Sequence, residues 1–283
     1  MISYIGGKSR MAKWIGKYIP EDIEIYVEVF GGAFWVYVNG DVHEKPKLKE
    51  IVYNDFNRYM ANLFECCRSP EKFYQYMIDL KSQDEQLFYK FQKEIFKNYD
   101  INKIDLGDFE FGKKYAYIMT QVFSGLNAEK AKFIDLKANY KSKFDSFRGR
   151  LINPKFTKKL KMITKCENLS YNEVIEKYDS PKTYFYVDPP YWRTENYYSL
   201  HDFDVKDHKN LCSQLSNIKG KFSLSYYEFD LLSKWLPKDK FVWESREFVK
   251  AASAAKGRTQ NKGVEILIMN YNKVNILDPL KSS

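Results

Sequence analysis

The apolar run Tyr184-Phe185-Tyr186-Val187 stops abruptly at Asp188-Pro189-Pro190-Tyr191. Four consecutive large apolar side chains bounded by turn residues suit a strand buried on both faces. The prolines end it, because neither has a ladder N–H to donate. The strand therefore closes on a carboxylate and an aromatic ring held in a stiff turn. Asp188 can accept a hydrogen bond from an exocyclic NH2, and the turn's carbonyls can be aimed as further acceptors. Tyr191 offers a flat face for stacking on a base swung out of a duplex. Held by several acceptors, an amine turns its nitrogen lone pair out of conjugation and toward an electrophile. An Asp-Pro turn with no such duty has the same local sequence, so the rest of the chain decides.

Two earlier segments repeat the pattern. The strand expected over Ile25–Phe30 carries Glu28 and runs into Gly31-Gly32-Ala33, and the strand Glu50–Tyr53 ends at Asn54-Asp55. A strand closing on an acid and a glycine turn is the first half of a nucleotide-type βα unit. Asp55 lies 23 residues after Gly32, near the roughly 20 expected for an acid that binds ribose hydroxyls. The phosphate fingerprint G-x-G-x-x-G is absent, so a cofactor without pyrophosphate fits better. S-adenosylmethionine, an adenosine with a positively charged methionine tail, is such a cofactor. Ahead of both strands, Tyr4-Ile5-Gly6-Gly7-Lys8 precedes a helix expected from about Met11 to Tyr18. Glycines at a helix start let backbone N–H groups approach an anionic group, and Lys8 adds a charge there. Beyond Tyr191, a helix over Asp207–Asn217 and strands over Lys221–Ser225, Phe241–Glu244 and Val264–Tyr271 continue the alternation. This predicts an α/β sheet with its ligands at the carboxyl edge of the strands.

Between Asn57 and Cys166 that grammar stops. Apolar residues at helical spacing predict helices over Met60–Cys67, Pro70–Gln83, Asp84–Tyr99 and Tyr115–Phe123. From Lys130 onward basic residues accumulate, and Phe147-Arg148-Gly149-Arg150-Leu151 reads as a hairpin tip, since glycine allows the positive φ of a tight turn. Basic residues on such a ribbon can contact phosphates, and an arginine can read guanine. Lys and Arg outnumber Asp and Glu by 46 to 37, a net charge of +9 that suits a polyanionic partner. Part of that excess is also what AT-rich coding produces. The four cysteines lack C-x-x-C spacing and none pairs with His43, His201 or His208 at ligand spacing, so no metal is expected. The acidic residues around His201 and His208 read as the solvated start of a helix. With no apolar run of 18 residues and no signal-like segment, a cytoplasmic protein without a membrane span is expected.

Taken in order, these motifs resemble the D12 class of DNA N6-adenine methyltransferases, which includes the Dam methylases. Tyr4 to Lys8 resembles the family's aromatic-x-G-G-K, Glu28-Val29-Phe30-Gly31-Gly32-Ala33 its E-P-F-x-G-x-G turn, and Asn54 to Asn57 its acidic ribose strand. Asp188 to Tyr191 resembles its catalytic D-P-P-Y. The loop Gly257 to Lys262 before Val264-Glu265-Ile266 resembles its polar loop ahead of a strand carrying an acid. The resemblance implies a Rossmann-like S-adenosylmethionine-dependent catalytic domain, residues 1–57 plus 167–283. It also implies a mostly helical target-recognition insertion, residues 58–166, carrying the hairpin. Tyr4, Gly7, Lys8, Glu28, Phe30, Gly32 and Asp55 would hold the cofactor, with Glu28 at its amino end and Asp55 at its ribose. Asp188 would lie between cofactor and target amine, and Pro189, Pro190 and Tyr191 would complete the catalytic turn. Lys141, Lys143, Arg148, Arg150, Arg193 and Arg258 would contact double-stranded DNA. The implied reaction is direct SN2 transfer of a methyl to N6 of a flipped adenine, without metal, by a monomer or a dimer. Cytosine-N4 or RNA methylation, or a catalytically silent DNA-binding homologue, are the alternatives. Two departures stand out: Val29 replaces the family's proline, and Phe34 its second glycine. Phe34 must point away from the cofactor, unless the turn differs or its ring walls the adenosine.

Overall fold

The computed structural model describes residues 8–98, 100–122, 128–134, 142–192, 203–249 and 262–272. Among these, seven strands form one sheet: β1 (Ile25–Glu28), β2 (Glu50–Asn54), β3 (Lys165–Glu167), β4 (Thr183–Val187), β5 (Lys221–Tyr226), β6 (Val242–Val249) and β7 (Lys262–Met269). Their order is β3-β2-β1-β4-β5-β7-β6. The neighbours from β3 through β5 run parallel, and β7 lies antiparallel to both β5 and β6. The strand order reverses between β1 and β4, where a doubly wound sheet opens its ligand crevice.

Strand periodicity sorts the core into two layers. Tyr26, Ile51, Tyr53, Tyr184, Tyr186, Leu267 and Met269 pack on one face, and Val27, Val52, Phe185, Val187, Phe222, Leu224, Ile266 and Ile268 on the other. Residues of α1 (Ala12–Gly16), α2 (Trp35–Asn39), α3 (Arg58–Cys67), α4 (Pro70–Gln75), α5 (Glu85–Lys97), α6 (Phe109–Met119), α7 (Lys143–Leu151) and α8 (Pro154–Lys161) cover the first face. Residues of α9 (Tyr171–Tyr178), α10 (Val205–Leu215) and α11 (Leu232–Trp235) cover the second. Among its described residues, the long connection from β2 to β3 is helical wherever it forms regular structure, and Phe64, Phe73, Phe88, Tyr117, Phe144 and Phe147 join the same apolar cluster as Tyr26 and Tyr53.

Three sequence expectations in this connection are corrected. Residues 147–151 are not a hairpin tip; they form the last part of α7. Ser142 caps that helix by accepting from the backbone of Phe144 and Asp145, and Phe144, Phe147 and Leu151 recur at helical spacing and are buried. Gly149 needs no special φ here: a Cβ added to it meets nothing within 4 Å. The helix expected over Pro70–Gln83 ends at Gln75. The carbonyls of Met77, Ile78 and Leu80 turn instead to the Arg148 guanidinium, at 3.2, 3.3 and 3.0 Å, and Asp145 pairs with that guanidinium at 2.7 Å. A further helix, α6, begins at Phe109 rather than Tyr115, because Asp108 caps it through the Phe111 N–H.

The turn after β1 accommodates Phe34 in an unusual way. Gly32 and Phe34 both have positive φ, 47° and 57°. This explains why glycine suits both places in the resembled pattern. A bulky residue with such a φ is strained by about 1 kcal/mol or more. Its ring points into the core, fully buried, 4.7 Å from the ring of Tyr37, 5.0 Å from Tyr53 and 5.6 Å from Phe64. Packing holds the strained backbone in place.

Two predictions follow from these backbones. Ala at position 34 keeps the strain and loses the ring, whereas Gly loses only the ring. Phe34→Gly is therefore expected to be about 1 kcal/mol more stable than Phe34→Ala, the reverse of the usual order, by urea denaturation. Gly149→Ala is expected to stabilise the protein by about 0.5–1 kcal/mol through helix propensity, where a hairpin tip with positive φ would lose stability.

Candidate active site

The sheet's periodicity also gathers the charged residues. Glu28 follows Tyr26 by two residues, Asp55 follows Tyr53, Asp188 follows Tyr186, and Glu265 precedes Leu267 on the antiparallel strand. All four acids thus continue one face of the sheet at its carboxyl edge. Glu28, Asp55 and Glu265 are buried, and Asp188 keeps 18% of its side-chain surface exposed. Against them stands Lys8, buried where α1 begins, its carbonyl accepting from Met11 and Ala12. The Lys8 ammonium lies 3.0 Å from Asp188 Oδ1 and 3.5 Å from Glu265 Oε1.

Burial dominates the protonation of these groups, since it penalises the charged form. Glu28 is pushed up to about 8 by burial, although it accepts from the Tyr26 hydroxyl and the Tyr37 N–H, both at 2.7 Å; the nearby Asp188 charge adds to the rise. Asp55 is pushed up to about 6 by burial, opposed by hydrogen bonds from the N–H groups of Asn57 and Gly32, each 2.8 Å, and from the Tyr53 hydroxyl. Burial likewise raises Asp188 and Glu265, and the Lys8 charge opposes both shifts. Burial alone would lower the Lys8 ammonium, but Asp188 and then Glu265 outweigh it and hold it above the ordinary lysine range.

Tyr191 is tied to the same group. Its hydroxyl donates to Glu265 Oε1 at 2.5 Å, its ring stacks on Tyr226 at 5.4 Å, Tyr227 meets it edge-on at 4.4 Å, and Lys8 Nζ sits 4.6 Å from its centroid. Behind Tyr226 lies His208. The sequence suggested a solvated helix start here, and Asp204 and Asp207 do form a capping box for α10, but His208 is buried, hydrogen-bonded to the Tyr226 hydroxyl and edged by Phe203 and Trp192.

On the other face of the sheet the crevice is apolar. A cavity of about 520 Å³ is lined by Phe30, Phe56, Tyr171, Phe203 and Pro190, with Ser170, Asn172, Asp207, Asn210 and Gln214 contributing polar groups. Phe30 stacks on Tyr171 at 6.1 Å and meets Phe203 edge-on at 5.8 Å. Phe56 remains 55% exposed at this cavity, a cost for a phenyl ring unless something planar covers it. An aromatic slot beside buried acids fits the two ends of S-adenosylmethionine, an adenine ring and a cationic tail.

The structure thus brings together Lys8, Glu28, Asp55, Asp188 and Tyr191 around one edge, with Phe30, Gly32 and Pro190 bordering them. Tyr4, Gly7, Lys141, Arg193 and Arg258 lie outside the described residues. Sequence reasoning did not single out Glu265, Tyr171 and Phe203 as site residues; the signal for Glu265 was a lone acid in the apolar run Ile266-Leu267-Ile268. Several described basic residues between β2 and β3 have local partners. Arg148 serves the carbonyls that follow α4, and Arg150 lies 5.7 Å from the rings of both Trp35 and Phe156. Lys159 donates to the Val38 carbonyl, and Lys161 pairs with Glu71. Lys143 is exposed. Among the described residues, one three-residue group has metal-ligand chemistry, Asp41, His43 and Glu44, on the connection that returns from α2 to the start of β2. Lys159 lies 3.8 Å from its Asp41. No described helix is long and apolar enough to cross a membrane.

Comparison with known proteins agrees with this geometry. Residues 4–251 match the family of D12 class N6 adenine-specific DNA methyltransferases. The chain belongs to that family. It is also 25% identical over 210 residues to the modification methylase StsI of Streptococcus sanguinis, a match covering 70% of this chain and 29% of that protein. The chain thus spans less than a third of the relative's length.

Glu28 gives this family member a measurable pH signature. Its folded pKa of about 8 lies above the ordinary 4.5, so the folded state holds the proton more tightly. The stability this contributes is complete below pH 4.5 and is lost as pH rises toward 8. Asp55 acts in the same direction between 3.8 and about 6. Without cofactor, the melting temperature is expected to fall between pH 6 and 8, with a slope of at most about 1.4 kcal/mol per pH unit from Glu28. Glu28→Gln keeps an oxygen for Tyr26 and Tyr37, and is expected to flatten that slope and melt higher at pH 8 by calorimetry.

Proposed function

We propose that this protein methylates N6 of adenine at specific sites in double-stranded DNA, using S-adenosylmethionine, with Asp188 as the acceptor for the target amine. The observation that carries this reading is the partly exposed Asp188 carboxylate at the β1/β4 crevice, in a turn whose Pro190 lines the aromatic cavity. When bound, S-adenosylmethionine supplies the electrophilic methyl group. Phe30, Phe56, Tyr171 and Phe203 suit its adenine ring, Asp55 its ribose, and Glu28 the cationic methionine end. The match is chemical: a buried carboxylate such as Glu28 gains most from a cation that restores its charged form.

The chain's own task is orientation. Asp188 accepts a hydrogen bond from the adenine amino group and directs its lone pair, while the prolines hold the turn so that the carboxylate does not follow the substrate's motion. As the sulfonium C–S bond breaks and the C–N bond forms, the positive charge would pass to N6, and the acids of this edge would stabilise it until N6 releases its proton to water, leaving a neutral thioether product. Tyr191, anchored by Glu265 and Tyr226, is the rigid ring against which the extruded base is placed. Residues 58–166 supply target recognition in this reading, with Lys141 and Lys143 as phosphate or base contacts, joined by Arg193 and Arg258 from the catalytic domain. Arg148 and Arg150 support that segment from within. The printed name of the relative, a modification methylase, favours a role in marking DNA.

Incubation with S-adenosylmethionine and unmethylated DNA, followed by nucleoside mass spectrometry, tests the reading. N6-methyladenine is expected from the wild type. Asp188→Ala is expected to lower turnover by at least about 10³-fold, as loss of a charge-stabilising acceptor does, while binding S-adenosylmethionine within about tenfold of wild type by calorimetry. Turnover like wild type in that variant would overturn the assignment.

A further inference from the structure

The arrangement around Lys8 carries a consequence beyond binding the cofactor. The Asp188 carboxylate that the proposed reaction requires for the adenine amine is already in contact with a cation through its Oδ1, Lys8 Nζ at 3.0 Å. The same ammonium lies 4.6 Å from the centroid of Tyr191, the ring assigned to the base. Lys8 therefore stands where the substrate's amine and ring must arrive. The carboxylate has lone pairs enough for two donors, but the ammonium and an incoming base cannot both occupy the space over the Tyr191 ring, which is only 8% exposed. Expelling the ammonium into apolar surroundings is equally disallowed, because an unpaired buried charge is strongly destabilising.

A second carboxylate resolves the conflict. Glu265 Oε1 is 3.5 Å from Lys8 Nζ, outside close hydrogen-bond range but within ion-pair reach, and it is 2% exposed, so Lys8 is one of the few partners that can neutralise it. We propose that Glu265 is a positioning residue that takes Lys8 from Asp188 when the target amine enters, so that Lys8 alternates between a closed state on Asp188 and an open state on Glu265. The backbone of Lys8 is fixed where α1 begins through its carbonyl, so the exchange needs only side-chain rotation over a short path. The Tyr191 hydroxyl donates to the same Glu265 oxygen, which ties the position of the base platform to the carboxylate that receives Lys8. In the closed state Lys8 keeps Asp188 neutralised without substrate; in the open state Asp188 is available to an uncharged amine. The substrate class implied is any planar exocyclic amine able to displace the ammonium. The inference rests on the methyltransferase reading of Asp188, which deepens here into a statement about how the site opens.

The test uses full-length protein and the duplex identified by sequencing the methylated sites. Affinity is compared, without turnover, for duplexes carrying adenine or purine at the target; purine lacks the amine, so the ratio reads its engagement by Asp188. Glu265→Gln keeps an oxygen for Tyr191 but offers Lys8 no charge, and is expected to reduce the adenine preference about tenfold while changing S-adenosylmethionine affinity less than threefold. Glu265→Asp, which restores the charge, is expected to recover at least half of the preference. With Lys8→Met added, the loss caused by Glu265→Gln is expected to disappear, because no ammonium remains to compete. A purely structural Glu265 predicts the opposite: the same loss in both backgrounds. That result, or an adenine preference unchanged in Glu265→Gln, overturns the exchange. A wild type that methylates no adenine overturns the underlying reading instead.

Discussion

Everything at the active edge depends on an imbalance of buried charge. Four carboxylates, Glu28, Asp55, Asp188 and Glu265, converge on one end of the sheet with one buried ammonium, Lys8, set among them. Such a cluster cannot ionise fully while dry, and the raised positions of all four acids express that. The unliganded protein therefore holds protons and an internal lysine in place of external cations. In the proposed reading, a cationic cofactor and a base amine would convert this unfavourable electrostatics into affinity. Stability and function oppose one another at Glu28: the burial that strains the fold at neutral pH is the burial that makes it attractive to positive charge.

The tyrosines beneath the acids make this tolerable. Tyr26 donates to Glu28, Tyr53 reaches Asp55 and the Gly32 carbonyl, and Tyr186 pairs with Ser225. Each buries a large ring in the core and directs a hydroxyl into the charged tier. A phenylalanine in these places would fill the same volume and leave the carboxylates poorer by an acceptor's partner. The other face needs no such help, because Phe30, Tyr171 and Phe203 present ring surface to an apolar slot. Three consecutive residues, Glu28-Val29-Phe30, thus feed both halves of the site: strand alternation sends Glu28 to one face and Val29 to the other, and Phe30, past the end of β1, turns to that second face as well.

What the sequence revealed about this edge was what strands encode locally. Each parallel strand's apolar run, with the acid at or just past its end, marks both the element and its functional terminus, so β1, β2 and β4 and their acids were legible within a few residues. Glu265 belongs to the same tier but arrives on an antiparallel strand from the far end of the chain, and no local spacing connects it to Lys8. Tyr171 opens α9 and Phe203 lies just before α10, and their approach to Phe30 is a product of the sheet order. The misread region fails for a different reason. Arg-Gly-Arg suggests a turn and a phosphate contact, yet Phe144, Phe147 and Leu151 set a helical period that tertiary packing enforces. The arginines it carries then find carbonyls and aromatic rings inside the protein.

Phe34 shows how far packing can override backbone preference. The turn after β1 demands positive φ at this position for reasons of chain path: Asp55 must accept from the Gly32 N–H, and Tyr53 must donate to the Gly32 carbonyl. Those bonds tie the β1 turn to the end of β2, so the backbone cannot relax to suit a larger side chain. Phe34 meets the demand by placing its ring among Tyr37, Tyr53 and Phe64, and Tyr53 is also the residue that donates to the Gly32 carbonyl. Strain and support therefore come from one cluster. A glycine there would relieve the backbone while loosening Tyr53, and with it the carboxylate of Asp55; the phenylalanine accepts a local cost to keep that carboxylate in place.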